Sequence, residues 1–246
     1  MIVVVTGGSR GIGAEIVRRA ARAGHAVAFT YRADEAAALR LVAELERDAP
    51  AVTVLARQLD VRSSAAVDVF AKSVEDEFGH VDVVVPNAGI NRNAPLIGMS
   101  DEQWRDVIDT NLSGAFFVAR AFLPVMLPRR FGRFVFLSSV SRDGMTGQAN
   151  YAATKAGLVG LARTVAKEYG TRGITANVVA PGIVDTDMAR ENAGGRFQKF
   201  WQDNAAARRN ATTAEVAAAV MFLADEAASY VNGACIPVTS GLDWVP

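Results

Sequence analysis

Cysteine is nearly missing from this chain. Cys235 stands alone among 246 residues, which excludes an intrachain disulfide framework. A lone thiol fits a reducing compartment, so the expected location is cytoplasmic. Histidine is almost as scarce, with two residues, and no metal site is expected. An excess of charge of either sign is absent too: Lys plus Arg and Asp plus Glu number 26 each. That balance excludes the basic footprint of a nucleic-acid binder and the acidic tail of a solvating segment. No apolar run reads as long enough to cross a bilayer, so no membrane partner is expected. The opening run Met1–Val5 has no basic flank and leads straight into Thr6-Gly7-Gly8, so it reads as a buried strand rather than a signal peptide. Internal repeats, low-complexity tracts and linkers are absent as well.

What is present is an alternation. Half of the residues are apolar, and the length suits one α/β domain, 1–246, better than two. Short runs rich in Val, Ile and Phe predict strands at 2–6, 26–31, 52–59, 82–86, 133–138, 174–180 and 234–238. Several are apolar almost throughout, as strands covered on both faces are. Between them, helical patterns fall near 11–23, 35–48, 63–78, 101–127, 150–171 and 213–227, with Ser63 and Ser100 where N-caps belong. The expected fold is therefore a doubly wound parallel α/β sheet of about seven strands with helices on both faces. The segment 187–210 breaks the rhythm. It holds Gly194-Gly195 and the aromatics Phe197, Phe200 and Trp201. It reads as a lid over an apolar substrate, or as a helical excursion with a packed aromatic face.

Two stretches carry chemistry. Thr6-Gly7-Gly8-Ser9-Arg10-Gly11-Ile12-Gly13 joins the first strand to the first helix. Glycines there let backbone N–H groups approach a pyrophosphate, and the helix N-terminus adds partial positive charge. The second strand ends Tyr31-Arg32, where an acidic residue usually holds the adenosine ribose. Arg10 and Arg32 suit a 2′-phosphate instead, which predicts NADPH (or NADP+) over NADH, although Asp34 and Glu35 are close in sequence. Asp60-Val61 ends the third strand, at the adenine edge or at the start of a loop. Tyr151 and Lys155 lie four residues apart on one helix face, and Ser138-Ser139 ends the fifth strand at the edge where open α/β sheets bind ligands.

With the glycine turn, Asn87-Ala88-Gly89, Asn111, Ser139, Tyr151, Lys155 and Pro181-Gly182 in this order, the chain resembles the short-chain dehydrogenase/reductase family along its whole length. Within that family it is most similar to bacterial 3-oxoacyl-[acyl-carrier-protein] reductases, particularly over Gly147–Gly157 and Arg172–Gly182. The resemblance implies a Rossmann-type domain in which Tyr151 gives a proton to the substrate oxygen. Lys155 stabilises the phenolate and holds the nicotinamide ribose, Ser139 hydrogen-bonds the substrate oxygen, and Asn111 holds a relay water. Asn111 also reads as a helix distortion. Gly7, Ser9, Gly11, Ile12, Gly13, Asn87, Ala88, Gly89, Pro181, Gly182, Ile183 and Thr186 join Arg10, Tyr31, Arg32, Asp60 and Val61 as expected cofactor contacts; for Thr186 a loop-turn role competes. The chain departs from the pattern in three places. Pro86 replaces an asparagine, the stretch between Ser139 and Tyr151 is one residue short, which leaves Ser138 as a rival active serine, and Thr239-Ser240-Gly241 replaces Asn-Gly-Gly.

The resemblance implies an acyl-carrier-protein-bound substrate from a fatty-acid or polyketide route. Arg129, Arg130 and Arg172 would be its docking surface, and helix-terminal cations are the alternative reading. The apolar helices at 101–127 and 156–168 imply a homotetramer. The runner-up is an enzyme acting on a sugar, steroid or other ketone or secondary alcohol. A cofactor sensor without catalysis is the reading of another class, and the presence of both Tyr151 and Lys155 speaks against it.

Overall fold

The computed structural model describes residues 1–192 and 195–243. Seven strands form one parallel sheet in the order β3-β2-β1-β4-β5-β6-β7. They are β1 (Ile2–Val5), β2 (Ala26–Tyr31), β3 (Val54–Gln58), β4 (Val83–Val85), β5 (Gly132–Leu137), β6 (Ile174–Pro181) and β7 (Cys235–Val238). Every residue of β1, β4, β5 and β6 is buried, because both faces are covered. On one face α1 (Gly11–Arg22), α2 (Glu35–Asp48) and α9 (Thr213–Ala224) pack Ile16, Val17, Leu41, Leu45, Val216, Val220 and Leu223 against odd-numbered residues of β1 and β5. On the other, α3 (Ser64–Phe78), α5 (Gly114–Met126) and α6 (Ala149–Tyr169) bring Phe70, Val74, Val118, Phe122, Leu158 and Val165 onto Val84, Phe134 and Phe136.

Helix starts are set by side chains. Ser63 accepts a bond from the Ala66 N–H. Ser100 with Gln103, and Thr212 with Glu215, form capping boxes that satisfy orphan donors in both directions. The expected helix 101–127 is interrupted. It consists of α4 (Asp101–Ile108), a π turn over Asp109–Ser113 that contains Asn111, and α5.

The expectation that no apolar run could span a bilayer needs correction. Residues Asp101–Arg129 run as 29 helical residues long and apolar enough by length and composition. The packing explains the composition: Val107, Val118, Phe122 and Met126 are buried in the fold, and Phe116 is left exposed. Such a helix is weak evidence for a membrane.

The irregular segment folds into α7 (Asp187–Asn192) and α8 (Gly195–Asn204); Gly194 of the glycine pair lies outside the described residues. Trp201 is 1% exposed and forms a small core with Val140, Ile183, Ala205 and Leu242, against which Phe197 and Phe200 pack. The aromatic face is packed, and Phe197 and Met188 of the same segment also line a small cavity beside Tyr151.

Candidate active site

The strand order reverses between β1 and β4. Beyond their carboxyl ends opens a cleft of about 730 Å³, at the switch point where a doubly wound sheet leaves room for a ligand. The β1–α1 turn forms its floor. Gly7 and Gly11 sit at φ 65° and 56°, in the left-handed region that glycine adopts without strain. A Cβ on Gly13 would stand 2.3 Å from the Gly7 oxygen. Asn87 locks the turn to β4, its Nδ2 donating to the oxygens of Thr6 and Gly7 at 2.9 and 3.0 Å. The Thr6 hydroxyl in turn accepts from the N–H groups of Asn87 and Ala88. Pro86 therefore costs nothing here: β4 ends at Val85, and the Pro86 oxygen still accepts from the Leu137 N–H at 3.4 Å.

The residues fit a nicotinamide dinucleotide. Unlike α2, α3, α4 and α9, helix α1 has no side-chain cap, and its first turn holds no acid. Its N–H groups are left for an anion. Gly7, Ser9, Arg10, Gly11, Ile12, Gly13, Tyr31, Arg32, Asp60, Val61, Asn87, Ala88, Gly89, Tyr151, Lys155 and Thr186 all line the cleft. Pro181, Gly182 and Ile183 do not; they line a side cavity of about 140 Å³. At the end where Tyr31 and Arg32 lie, Arg10 is 3.9 Å from Asp34, whose carboxylate caps α2, and the Tyr31 hydroxyl donates to Glu35 at 3.3 Å. Asp60 lines the cleft, but its carboxylate is held by Arg62 at 2.6 Å and kept below the usual range by that bond.

Tyr151 and Lys155 project from the first turns of α6 into the cleft. The ammonium lies 5.3 Å from the Tyr151 ring centroid and donates to the Leu137 oxygen at 2.7 Å. Burial pulls the Lys155 pKa down to about 8, while it pushes the Tyr151 phenol up to about 12, against a hydrogen bond from Ser139 that lowers it. The two serines have different tasks. Ser138 Oγ donates to the Lys155 backbone oxygen at 2.8 Å and fixes α6 against β5. Ser139 stands beside the phenol, its Oγ accepting from the Ser141 N–H at 3.1 Å. The geometry favours Ser139 as the serine facing a substrate oxygen.

Asn111 lines neither cavity. Its Oδ1 accepts from the Ile90 N–H at 2.8 Å and its Nδ2 donates to the Ile90 oxygen at 2.9 Å and to Thr154 at 3.4 Å. The π turn brings this side chain to the loop after β4, so the distortion and the site belong together.

Sequence reasoning missed several residues. Asn150, fully buried, donates to the oxygens of Arg92 and Gln103 and accepts from the Tyr151 N–H, pinning the loop after β4 to the start of α6. A polar residue beside a helix start was the available signal. Asn91 lines the side cavity with Ser139 and Tyr151, and no local signal marks it; Met188 and Phe197, which line it too, fall in the segment 187–210 that the sequence set apart, and Met145 and Gln148 join them from the stretch before Tyr151.

The three expected docking arginines lie elsewhere. Arg129 and Arg130 precede β5 and Arg172 precedes β6, at the amino edge of the sheet. Arg129 pairs with Asp82 at 3.2 Å, and Arg130, at φ 51°, donates to the Thr171 oxygen. The six residues of β5 separate them from Ser139, roughly 20 Å at a strand's rise. They do not border their own protomer's active-site cleft, because a parallel sheet puts strand starts and strand ends on opposite edges.

Residues 7–243 match the family model described as enoyl-(acyl carrier protein) reductase. The chain is 44% identical over 241 residues to the 3-oxoacyl-[acyl-carrier-protein] reductase MabA of Mycobacterium tuberculosis, covering 98% of this chain and 92% of that one. It is 38% identical over 245 residues to the 3-oxoacyl-[acyl-carrier-protein] reductase FabG of Escherichia coli, covering 99% and 98%. Among solved structures, levodione reductase aligns with a TM-score of 0.92 at 31% identity, over 98% of this chain and 97% of that one.

Proposed function

Because the chain belongs to the short-chain dehydrogenase/reductase family, we propose that this oxidoreductase reduces a 3-oxoacyl thioester on an acyl carrier protein to the 3-hydroxyacyl thioester, with NADPH. The observation that carries the reading is the convergence of Tyr151, Lys155 and Ser139 where the nucleotide cleft meets the side cavity. When bound, the reduced nicotinamide supplies a hydride. The chain supplies the rest. Ser139 holds the ketone oxygen, Tyr151 gives it a proton, and the Lys155 ammonium stabilises the phenolate left behind. The pKa order suits reduction, since a phenol near 12 stays protonated at neutral pH. Asn111 keeps the loop after β4 in place and is proposed to hold the relay water behind Lys155.

Arg10 and Arg32 support a 2′-phosphate and hence NADPH. A carrier seated on Arg129, Arg130 and Arg172 would serve a neighbouring protomer's site, which fits the proposed homotetramer built on α4, α5 and α6 and the C-terminal segment. A fatty-acid pathway and a cytoplasmic location are part of this proposal; a polyketide route uses the same chemistry.

The test is oxidation of NADPH and of NADH, followed with acetoacetyl-carrier protein, acetoacetyl-N-acetylcysteamine, a sugar ketone, a steroid ketone and an enoyl thioester. The expected result is NADPH-dependent reduction of both acetoacetyl substrates, with the higher kcat/KM on the carrier and a loss with added salt. Turnover of the enoyl thioester alone, or of a sugar or steroid ketone alone, would overturn it, as would a preference for NADH.

A further inference from the structure

The side cavity beside Tyr151 and Ser139 has a mostly apolar wall, made by Val140, Met145, Ile183, Met188 and Phe197. Two carboxamides interrupt it. Gln148 is 7% exposed, and its Oε1 is buried with no hydrogen-bond partner; the Oδ1 of Asn91 is in the same condition. A buried polar atom left unpaired is costly, so two carboxamides in this condition on residues that line one small cavity require a reason.

Their positions are unusual for their residue types. Gln148 occupies the N-cap position of α6, but its side chain makes no cap bond. Asn91 follows Ile90 on the loop after β4, and its backbone oxygen accepts from the Arg92 guanidinium at 3.4 Å. Neither residue is loosely held. The Ala94 N–H donates to the Gly147 oxygen at 2.9 Å, and Asn150 ties Arg92 and Gln103 to the start of α6 at 3.0 Å each. The two carboxamides are thus carried by segments fastened to each other and to the helix that carries Tyr151. A half-turn of a carboxamide exchanges O for NH₂ without changing its shape, so each can present a donor or an acceptor to a ligand.

We infer that Asn91 and Gln148 form a subsite for the second carbonyl of a 1,3-dicarbonyl substrate, binding its oxygen through carboxamide N–H groups while Tyr151 and Ser139 hold the first. The inference rests on the proposed reaction and deepens it. In a 3-oxoacyl thioester the second oxygen belongs to the thioester, two carbons from the ketone. Fixing both oxygens orients the chain and the ketone face presented to the cofactor. A monoketone offers the carboxamide N–H groups no second oxygen, and sites built to hydrogen-bond a substrate group discriminate strongly against analogues that lack it.

The test compares acetylacetone with 2-pentanone, a 1,3-diketone against a monoketone of equal length, and adds acetoacetyl-N-acetylcysteamine. The proteins are the parent, Gln148→Leu and Asn91→Leu. Thermal unfolding and NADPH titration confirm that each variant folds, and a ratio of kcat/KM values is insensitive to the active fraction. The parent is expected to favour the diketone, and each variant to lower the diketone-to-monoketone ratio by about 10-fold or more, mainly through KM. A ratio that stays the same in both variants overturns the subsite, even if the thioester is a good substrate. Failure to reduce the thioester, with a ratio that still depends on Gln148 and Asn91, overturns the proposed substrate and leaves the subsite standing. A parent that reduces none of the three overturns both.

Discussion

Tyr151 and Lys155 show how two residues on consecutive helical turns acquire chemistry from burial. The Tyr151→Phe variant removes the proposed proton donor and keeps the ring against which Lys155 lies. Turnover should fall about 10²–10⁴-fold, the usual worth of a general acid, with NADPH affinity within a few-fold of the parent by fluorescence titration. A variant that retains most of the parent's kcat would remove Tyr151 from the mechanism. Lys155 makes a pH prediction whose sign follows from its depressed pKa. In the proposed reaction the ammonium is the working form, and it is lost as pH rises through about 8. The kcat/KM for reduction should therefore be flat below that pH and fall above it, while the phenol, near 12, adds no second fall in the range. A profile that climbs above pH 8 would contradict the assignment. The same group affects stability. The unfolded chain keeps this proton to about 10.5 and the folded chain only to about 8, so burying the ammonium costs stability at neutral pH. That cost is relieved as pH rises through the window between the two values.

At the scale of elements, the β1–α1 turn is the most constrained piece of backbone. A methyl on Gly13 would meet the Gly7 oxygen at 2.3 Å and Asn87 Nδ2 at 2.5 Å. The obstruction is backbone on one side and a side chain engaged in two hydrogen bonds on the other. Gly13→Ala should therefore lower the melting temperature by several degrees and weaken NADPH binding at least 10-fold, read by calorimetry and titration. An unchanged melting temperature would mean that the turn relaxes freely. The strands, the glycine turn and the caps Ser63 and Ser100 were legible because each depends on near neighbours in sequence. The π turn at Asp109–Ser113 was legible only as a suspicion attached to Asn111, whose side chain bonds Ile90 and Thr154, 21 and 43 residues away. Ser240 adopts φ 53°, in the left-handed region that few residues other than glycine enter. Its hydroxyl accepts from the Ala207 N–H at 2.8 Å, a long-range contact that no local pattern announces.

At the scale of the whole molecule, two exposed phenylalanines stand on helices that cover opposite faces of the sheet. Phe116 on α5 is 41% exposed and Phe222 on α9 is 55% exposed, on opposite faces of the sheet. Two separate apolar faces suit two kinds of contact, as a tetramer with more than one interface requires. Sedimentation of the parent should give four times the 26.1 kDa chain mass, and Phe222→Glu should reduce it to half that. A parent sedimenting as a monomer would remove both the tetramer and the idea that carriers dock across protomers.

Local order in the chain, apolar runs of strand length, glycines spaced for a turn, a tyrosine and a lysine one helical turn apart, determined the doubly wound sheet, the turn beside the cleft and the placing of Tyr151 and Lys155 on one helix face, because these depend on backbone geometry and on contacts between near neighbours; the proton transfer proposed for that pair rests on the family resemblance. Only the tertiary structure decided which serine faces Tyr151, because both occupy the end of β5 and the choice turns on Ser138 being claimed by the Lys155 carbonyl. It alone placed Arg129, Arg130 and Arg172 on the far edge of the sheet, where strand direction, invisible in a list of residues, separates them from the site they were expected to serve. And it alone brought Asn91 and Gln148 to one cavity wall: residues 57 positions apart meet there because the loop after β4 and the start of α6 are joined by the hydrogen bonds of Asn150 and Ala94.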